Sequence, residues 1–211
     1  MNRKSITIVG VSMVTVALAA MPSLALATTA QAPAGTTLAA GVPVKAQSTN
    51  FVINDTVGNV SCNHVELTGE VTTNGGSHFT SSISNAAFTD CADEKFRIDN
   101  STNVSGVNPW RMQVQQPDAG GNIIAHLLPA SGSTLQFTAQ FQAFGISVGT
   151  CSYKKSTLQF EGTEASDVLS VAAGEALELE AGKPELCGEV FEVAGAFQTT
   201  SQGNKLTVDM S

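Results

Sequence analysis

Residues 62–70 read Cys-Asn-His-Val-Glu-Leu-Thr-Gly-Glu, and within them apolar and polar side chains alternate from Val65 to Thr68. A period of two places the apolar side chains on one face of a β-strand and the polar ones on the other. The same alternation recurs along the chain at Leu135–Thr138, Leu158–Glu161, Leu177–Glu180 and, in part, Val190–Val193. Many short strands separated by turn residues indicate an all-β fold, an antiparallel β-sandwich or a barrel.

The run Leu177–Glu180 has two interpretations. Residues 164–181 are rich in glutamate, alanine and leucine, which suits a helix. The alternation and the bracketing glycines, Gly174 and Gly182, favour a strand instead. We therefore predict a strand at this position.

Three strand-like runs share a further pattern, because each follows a cysteine and contains a glycine. The glycines are Gly69, Gly162 and Gly195. A glycine inside a strand usually marks a β-bulge or a close approach of another part of the chain. Two explanations of the repetition remain open: a degenerate two-half duplication with one disulfide in each half, or convergence within a β-rich sequence.

The N-terminus has the pattern of a secretory signal peptide. Arg3 and Lys4 precede an apolar run, Ile6–Ala20, and small residues follow as far as Ala27. A basic region, an apolar region and an Ala-x-Ala site define such a signal, and we predict cleavage after Ala27. An uncleaved membrane anchor is the alternative, but the apolar run is short for a span. The sequence thus predicts a protein exported to the periplasm or the extracellular space.

Removal of the signal peptide, residues 1–27, leaves a chain of 184 residues, which is enough for one good-sized core or two small ones. Residues 28–41 are rich in alanine, threonine, glycine and proline, and we expect them to form a flexible lead-in. Residues 42–211 then form a single β-rich domain. No stretch of the mature chain is long and apolar enough to predict a membrane span.

The predicted mature chain contains four cysteines: Cys62, Cys91, Cys151 and Cys187. Four cysteines in an exported chain usually form two disulfides, for which three connectivities exist. We favour the pairing of sequence neighbours, Cys62–Cys91 and Cys151–Cys187, which closes two loops of about thirty to forty residues. Zinc binding is the alternative, although the usual C-x-x-C spacing does not occur.

Charge limits the range of partners. Eighteen acidic and ten basic side chains give a formal net charge of −8, and loss of Arg3 and Lys4 with the signal peptide brings it to −10. From Glu161 onward there are ten carboxylates and only two lysines. Such a chain repels phosphate backbones, so nucleic acid is not expected as a partner. The acidic part suits solubility or calcium binding, although no D-x-[DN]-x-[DN]-G loop occurs.

Residues 145–149, Gly-Ile-Ser-Val-Gly, match the G-x-S-x-G signature of a hydrolase nucleophile. That motif requires a helix after its serine, whereas Ser147 is followed by a strand-like run that contains Cys151. All histidines precede Ser147, against the order of the hydrolase triad. We therefore predict no catalytic residue and interpret Gly145 and Gly149 as turn or bulge residues.

Metal and cofactor sites are likewise not expected. His64, His78 and His126 lie far apart, and no two of them have the spacing of a metal clamp. Trp110 follows a proline and is interpreted as a packing anchor. Four phenylalanines could line an apolar surface patch, although core packing is the commoner role: Phe51, Phe79, Phe141 and Phe144.

Several short motifs together resemble those of a family of small exported proteins: Val60–Asn63, Leu67–Thr72, Phe88–Cys91, Pro109–Trp110, Gly149–Cys151 and Cys187–Gly188. From about Val42 to Met210 the chain is similar to bacterial activators of alkane oxidation, and to uncharacterised secreted proteins with the same four-cysteine pattern. The resemblance implies an extracellular accessory role in growth on hydrocarbons, with no catalytic residues to transfer.

Two functional hypotheses follow. The first is a non-catalytic exported β-protein with a surface, adhesion or interface-binding role, whose partners are apolar substrates, cell surfaces or matrix. The second is a secreted hydrolase with an unrecognised carboxylate-based site. A cleft that gathers several titratable groups would favour the hydrolase, and an exposed apolar patch would favour binding. The oligomeric state does not follow from the sequence.

Overall fold

The computed structural model describes residues 27–54, 58–92, 96–102, 104–143, 146–182 and 187–210. Within them the chain forms seventeen strands: β1 (Thr28–Gln31), β2 (Pro43–Ser48), β3 (Phe51–Asn54), β4 (Asn59–Thr73), β5 (His78–Ala92), β6 (Phe96–Thr102), β7 (Trp110–Gln115), β8 (Asn122–Leu128), β9 (Leu135–Ala143), β10 (Ile146–Lys155), β11 (Leu158–Thr163), β12 (Val168–Val171), β13 (Ala176–Ala181), β14 (Val190–Ala194), β15 (Ala196–Ser201), β16 (Asn204–Lys205) and β17 (Thr207–Met210). The predicted all-β fold is confirmed.

Eight antiparallel strands close into a barrel in the order β2-β4-β5-β7-β8-β11-β12-β15. Strand β15 completes it, because its residues pair with β12 on one side and with β2 on the other. Closure removes the free edges that would otherwise pair with other chains. Of the two predicted architectures, the structure forms the barrel.

Six further strands complete a second ring of paired neighbours that shares β4 and β5 with the barrel: β5-β6-β9-β10-β13-β14-β3-β4. Of the other strands, β1 pairs with β17, and β16 pairs with β15. The shared strands are fifteen residues long, so different parts of one strand serve the two rings. Strand β2 pairs with Val65–Glu70 of β4, whereas β3 pairs with Asn59–Cys62. Since the chain passes repeatedly between the rings, the two halves of the sequence do not form separate units.

The alternation in the sequence corresponds to the two faces of the strands. Val65 and Leu67 are buried, while Glu66 and Thr68, which alternate with them, are partly exposed. The ambiguous run Leu177–Glu180 lies in β13, so the predicted strand is confirmed there. The core is one cluster that extends from Ala30 to Val208 and draws on both rings.

The three repeated glycines lie where the chain approaches itself closely. A Cβ on Gly69 would stand 1.7 Å from the carbonyl oxygen of Ser82, and the β4–β5 register shifts at this point. A Cβ on Gly162 would lie 2.8 Å from the side chain of Leu169, and one on Gly195 would lie 3.0 Å from Phe51. The predicted role of these glycines, bulge or close packing, is confirmed.

Both disulfides form with the favoured pairing, Cys62–Cys91 and Cys151–Cys187. The first joins β4 to β5 across paired positions, and the second ties β10 to the segment before β14. All four cysteines are buried. Disulfides persist in oxidising compartments, which indicates an extracellular or periplasmic environment.

The flexible lead-in predicted for residues 28–41 is wrong over its first part. Thr28–Gln31 form β1, which pairs with the last strand, β17, in the register Thr28↔Met210 to Gln31↔Thr207. Thr28 and Ala30 are fully buried. Composition missed this strand because its partner lies at the other end of the chain.

The predicted signal peptide, residues 1–27, lies outside the described residues except for Ala27, and it stays a prediction. Within the described ranges there is no helix with the length and apolar character needed to cross a membrane.

Candidate functional site

The serine of the hydrolase-like motif lies in an extended strand. Ser147 is the second residue of β10, is exposed and pairs with Gln142 of β9. The strand continues to Lys155, and its register shifts between Ser147 and Gly149. A nucleophile elbow needs a strand–turn–helix unit, which this stretch does not form. Gly149 is a bulge residue as predicted, and Gly145 lies outside the described residues.

The three histidines occupy separate places. His64 of β4 lies 3.8 Å from Glu66 Oε2, and His78 Nδ1 lies 2.6 Å from Ser77 Oγ. His126 of β8 lies beside Gln115, with 3.4 Å between Nδ1 and Nε2. In the part of the chain that the structure describes, no three histidine, cysteine or carboxylate side chains are grouped to hold a metal.

The aromatic side chains pack in the interior. Trp110 is 1% exposed, and its ring centroid lies 5.3 Å from that of Phe137. Phe51 and Phe79 are also buried, so they do not line a surface patch. The predicted packing role is confirmed for these residues, while the side chains of Phe141 and Phe144 lie outside the described part.

Interior cavities are small. One of about 50 Å³ lies inside the barrel between Phe79, Met112 and Ile123, and another of about 20 Å³ lies between Phe51, Trp110 and neighbouring apolar side chains. Ligand pockets usually have about 300–1,000 Å³. These two cavities are therefore packing defects that are too small for a ligand of ordinary size.

One concave surface in the described part of the chain is a groove of about 430 Å³, which we call the Arg111 groove. Its lining residues come from β4, β5, the start of β7 and the turn after β8: Thr72, Ser82, Pro109, Trp110, Arg111, Pro129, Ala130 and Ser131. Sheet pairing assembles it, because Arg111 lies opposite Ser82 on one side and Leu128 on the other. The start of β7 and the turn after β8 therefore meet above β5.

Strand β4 contributes Thr72 to the groove through a β-bulge. Thr72 falls at a shift of the β4–β5 register, between Val71 and Thr73, and a bulge turns a side chain away from its regular direction. Its hydroxyl lies 2.8 Å from that of Thr80 on the neighbouring strand. Thr72 is thereby held at the rim of the Arg111 groove.

Arg111 is the only ionisable side chain among the groove's lining residues. It is exposed, and within the described ranges it forms no ion pair, unlike Lys45, Lys154, Lys155 and Lys205. Five glutamates lie on and beside β13 and β14: Glu175, Glu178, Glu180, Glu189 and Glu192. Nearer the groove, the exposed Glu70 of β4 lies opposite Ser82, in the same cross-strand row as Arg111 but not among the lining residues. The groove thus presents a cation among hydroxyl groups and proline rings.

One carboxyl group in the described chain has a clearly shifted pKa. The side-chain amide of Asn122 lowers the pKa of Asp118, assisted by the backbone N–H groups of Asn122 and Gly120. Those two N–H groups lie 2.9 and 2.8 Å from Asp118 Oδ1. Because these donors lie in the β7–β8 turn and at the first residue of β8, the shift marks a structural turn and not a catalytic acid.

Sequence reasoning did not single out Arg111 or Thr72. The alternation from Trp110 to Gln115 does predict that Arg111 points away from the core. Which side chains surround Arg111 depends on the strands that pair with β7, and the residues next to Arg111 in the sequence do not reveal those strands.

The fold and groove together define a disulfide-linked antiparallel β-barrel with a polar, arginine-bearing surface groove. Comparison with protein-family models, with curated proteins and with solved structures finds no match.

Proposed function

We propose that this protein is an exported, non-catalytic β-barrel that binds carboxylate-bearing, hydroxyl-rich polymers of a cell surface or extracellular matrix. The observation that supports the proposal is the Arg111 groove, in which the guanidinium forms no ion pair with any described residue and no lining residue carries a negative charge. Binding at this groove makes the molecule an adhesion or interface protein.

The chemistry of the groove suits an acidic polysaccharide. A guanidinium presents a planar fork of donors that matches a carboxylate with two parallel hydrogen bonds. Ser82 and Ser131 add hydroxyl groups that donate to or accept from ring hydroxyls. Pro109 and Pro129 offer apolar faces to the carbon skeleton of a sugar. The volume of about 430 Å³ lies in the usual range for small-ligand sites.

Charge placement supports the same ligand. The net charge, −8 for the whole chain and −10 without the predicted signal peptide, would repel an acidic polymer at long range, but five of the glutamates lie on and beside β13 and β14, in the second ring. At physiological ionic strength exposed charges are largely screened beyond about 8 Å. A polymer at β5, β7 and β8 therefore contacts Arg111 on strands other than those that carry these glutamates, with Glu70 of β4 as the carboxylate in the same cross-strand row.

The carboxylate-based hydrolase is less well supported at this groove. Glycoside hydrolysis uses two carboxyl groups that flank the scissile bond. The residues that line the groove include no aspartate, glutamate or histidine. Ser82 and Ser131 therefore have no base beside them in the groove to activate a hydroxyl.

Binding should depend on Arg111. We expect Arg111→Ala to weaken binding to a uronic-acid polysaccharide about tenfold or more, since a hydrogen bond to a charged group contributes about 1.5–3 kcal/mol. Calorimetry or surface plasmon resonance at fixed ionic strength would measure it. Lys154→Ala is the matched control, because it removes one cation on β10, where Lys154 lies 3.8 Å from Glu180. Equal losses in both variants, or equal binding to a neutral polysaccharide, would contradict a specific groove.

The resemblance to activators of alkane oxidation supports growth on hydrocarbons as the setting of this function. We expect a deletion strain to grow more slowly on long-chain alkanes but normally on a soluble sugar, and added purified protein to restore growth. Growth curves on the two carbon sources measure this. Equal growth of the deletion and parent strains on alkanes would contradict the accessory role in growth on hydrocarbons. The proposed polysaccharide binding would not be affected, because the Arg111→Ala experiment tests it separately.

A further inference from the structure

The first eleven described residues after Ala27 form a distinct element, residues 28–38, which we call the N-terminal arm. Strand β1 leads into a tight turn in which Thr36 N donates to Pro33 O, and the chain then returns so that Leu38 N donates to Ala30 O. Thr28, Ala30 and Leu38 are buried. The N-terminal arm is therefore packed against the rest of the protein.

The arm lies in a slot with two walls that belong to distant parts of the chain. On one side β17 pairs with all four residues of β1. On the other side lies the β4–β5 turn, where Thr28 N donates to Gly76 O at 2.7 Å and Gly75 N donates to Thr28 O at 3.0 Å. No arm residue contributes to either wall.

Asn74 completes the slot, because its side chain forms hydrogen bonds of the kind that the backbone of a neighbouring strand would form. Its Oδ1 accepts from Ala30 N at 2.7 Å, and its Nδ2 donates to Ala30 O at 2.9 Å and to Leu38 O at 2.8 Å. Both polar groups of the Ala30 backbone are thus bound by one side chain. Recognition of an extended segment mainly through its backbone is the mode by which proteins add a foreign strand to a sheet.

The arm is attached to the barrel through a short exposed segment. Ala39, Ala40 and Gly41 are exposed between the buried Leu38 and strand β2. The buried side chains of the arm are mostly small, Thr28, Thr29, Ala30 and Ala32, so apolar burial holds it weakly compared with its hydrogen bonds. Exchange of an identical element between copies replaces each of these bonds with an identical one and so costs little.

We propose that the slot accepts the N-terminal arm of a second copy of this chain, so that exchanged arms link the molecules. The order of synthesis favours the exchange, because the arm is made before β17, and paired residues of the two lie 180 positions apart. The arm thus lacks its partner until β17 has been made, and neighbouring copies compete for it. Linked copies present several Arg111 grooves at once, which raises the avidity for a polymer.

Cross-linking between differently labelled copies tests the exchange. Thr29 of β1 lies opposite Asp209 of β17, so cysteines at these two positions meet when an arm occupies a slot. One full-length chain carries Thr29→Cys and a second, of distinguishable mass, carries Asp209→Cys. The two are mixed at increasing concentration, oxidised and separated without reductant. We expect a covalent heterodimer whose yield rises with concentration.

Two further variants make the result decisive. Addition of Ala30→Asp to the first chain places a charge at a fully buried position and should abolish the heterodimer. A chain that carries both Thr29→Cys and Asp209→Cys should close its own cross-link, which shows that the pair can form. If that internal cross-link forms but no heterodimer appears at any concentration, or if the heterodimer survives Ala30→Asp, the exchange proposal is overturned.

Discussion

Gly69→Ala should destabilise the protein by about 3 kcal/mol or more, or prevent folding altogether, because the new Cβ has no space. It would stand 1.7 Å from Ser82 O and 2.9 Å from Ile83 Cα, both backbone atoms. Relief requires the long β4–β5 hairpin to separate, and that hairpin belongs to both the barrel and the second ring. Urea unfolding followed by circular dichroism would measure the change in the free energy of unfolding.

Gly106→Ala is the matched control. A Cβ on Gly106 meets nothing within 4 Å, and its φ is not in the left-handed region. We expect its free energy of unfolding to stay within about 0.5 kcal/mol of the parent protein. A Gly69→Ala protein as stable as Gly106→Ala would show that the two strands do not approach as closely as described.

Reduction of the disulfides should have the second large effect. The bonds join residues separated by 29 and 36 positions, and loop closure of this length corresponds to about 3.5–4 kcal/mol each. Domains of this kind have a total stability of about 5–15 kcal/mol, so the loss of both bonds removes a large part of it. We expect a much lower melting temperature in the presence of reductant, measured by calorimetry or circular dichroism.

Alanine pairs separate the two bonds. Cys62→Ala with Cys91→Ala, and Cys151→Ala with Cys187→Ala, should each lower the melting temperature, and reductant should then lower it further. The second pair also removes support near the Tyr153 hydroxyl, which donates to Cys187 O in the core. An unchanged melting temperature in reductant would argue against both bonds in the mature protein.

The strands could be predicted because their signal is local. In β4 and β13 the side chain at each position already shows which face is buried, and a period of two outweighed the helix-forming composition around Leu177. The glycine at position 69 could be assigned to a bulge or close contact for the same reason. The favoured disulfide pairing followed from separation along the chain.

The rest depends on which strands become neighbours. Thr28–Gln31 look like a linker in isolation, and their burial depends on β17 and on Asn74. The groove depends on the pairing of β7 with both β5 and β8, which gives Arg111 its hydroxyl neighbours and places no carboxylate among the lining residues. Composition and periodicity carry no information on such long-range partners, so neither feature was anticipated.

The passage of the chain back and forth between the two rings has a consequence for the order of folding. Closure of one ring requires β15 and closure of the other requires β14, so both rings are completed by neighbouring strands late in the strand order. A growing chain that has not yet reached β14 therefore contains neither finished ring, and its apolar strand faces have no complete core to enter. The two rings thus gain their last strands almost together, which ties their folding to a single late event.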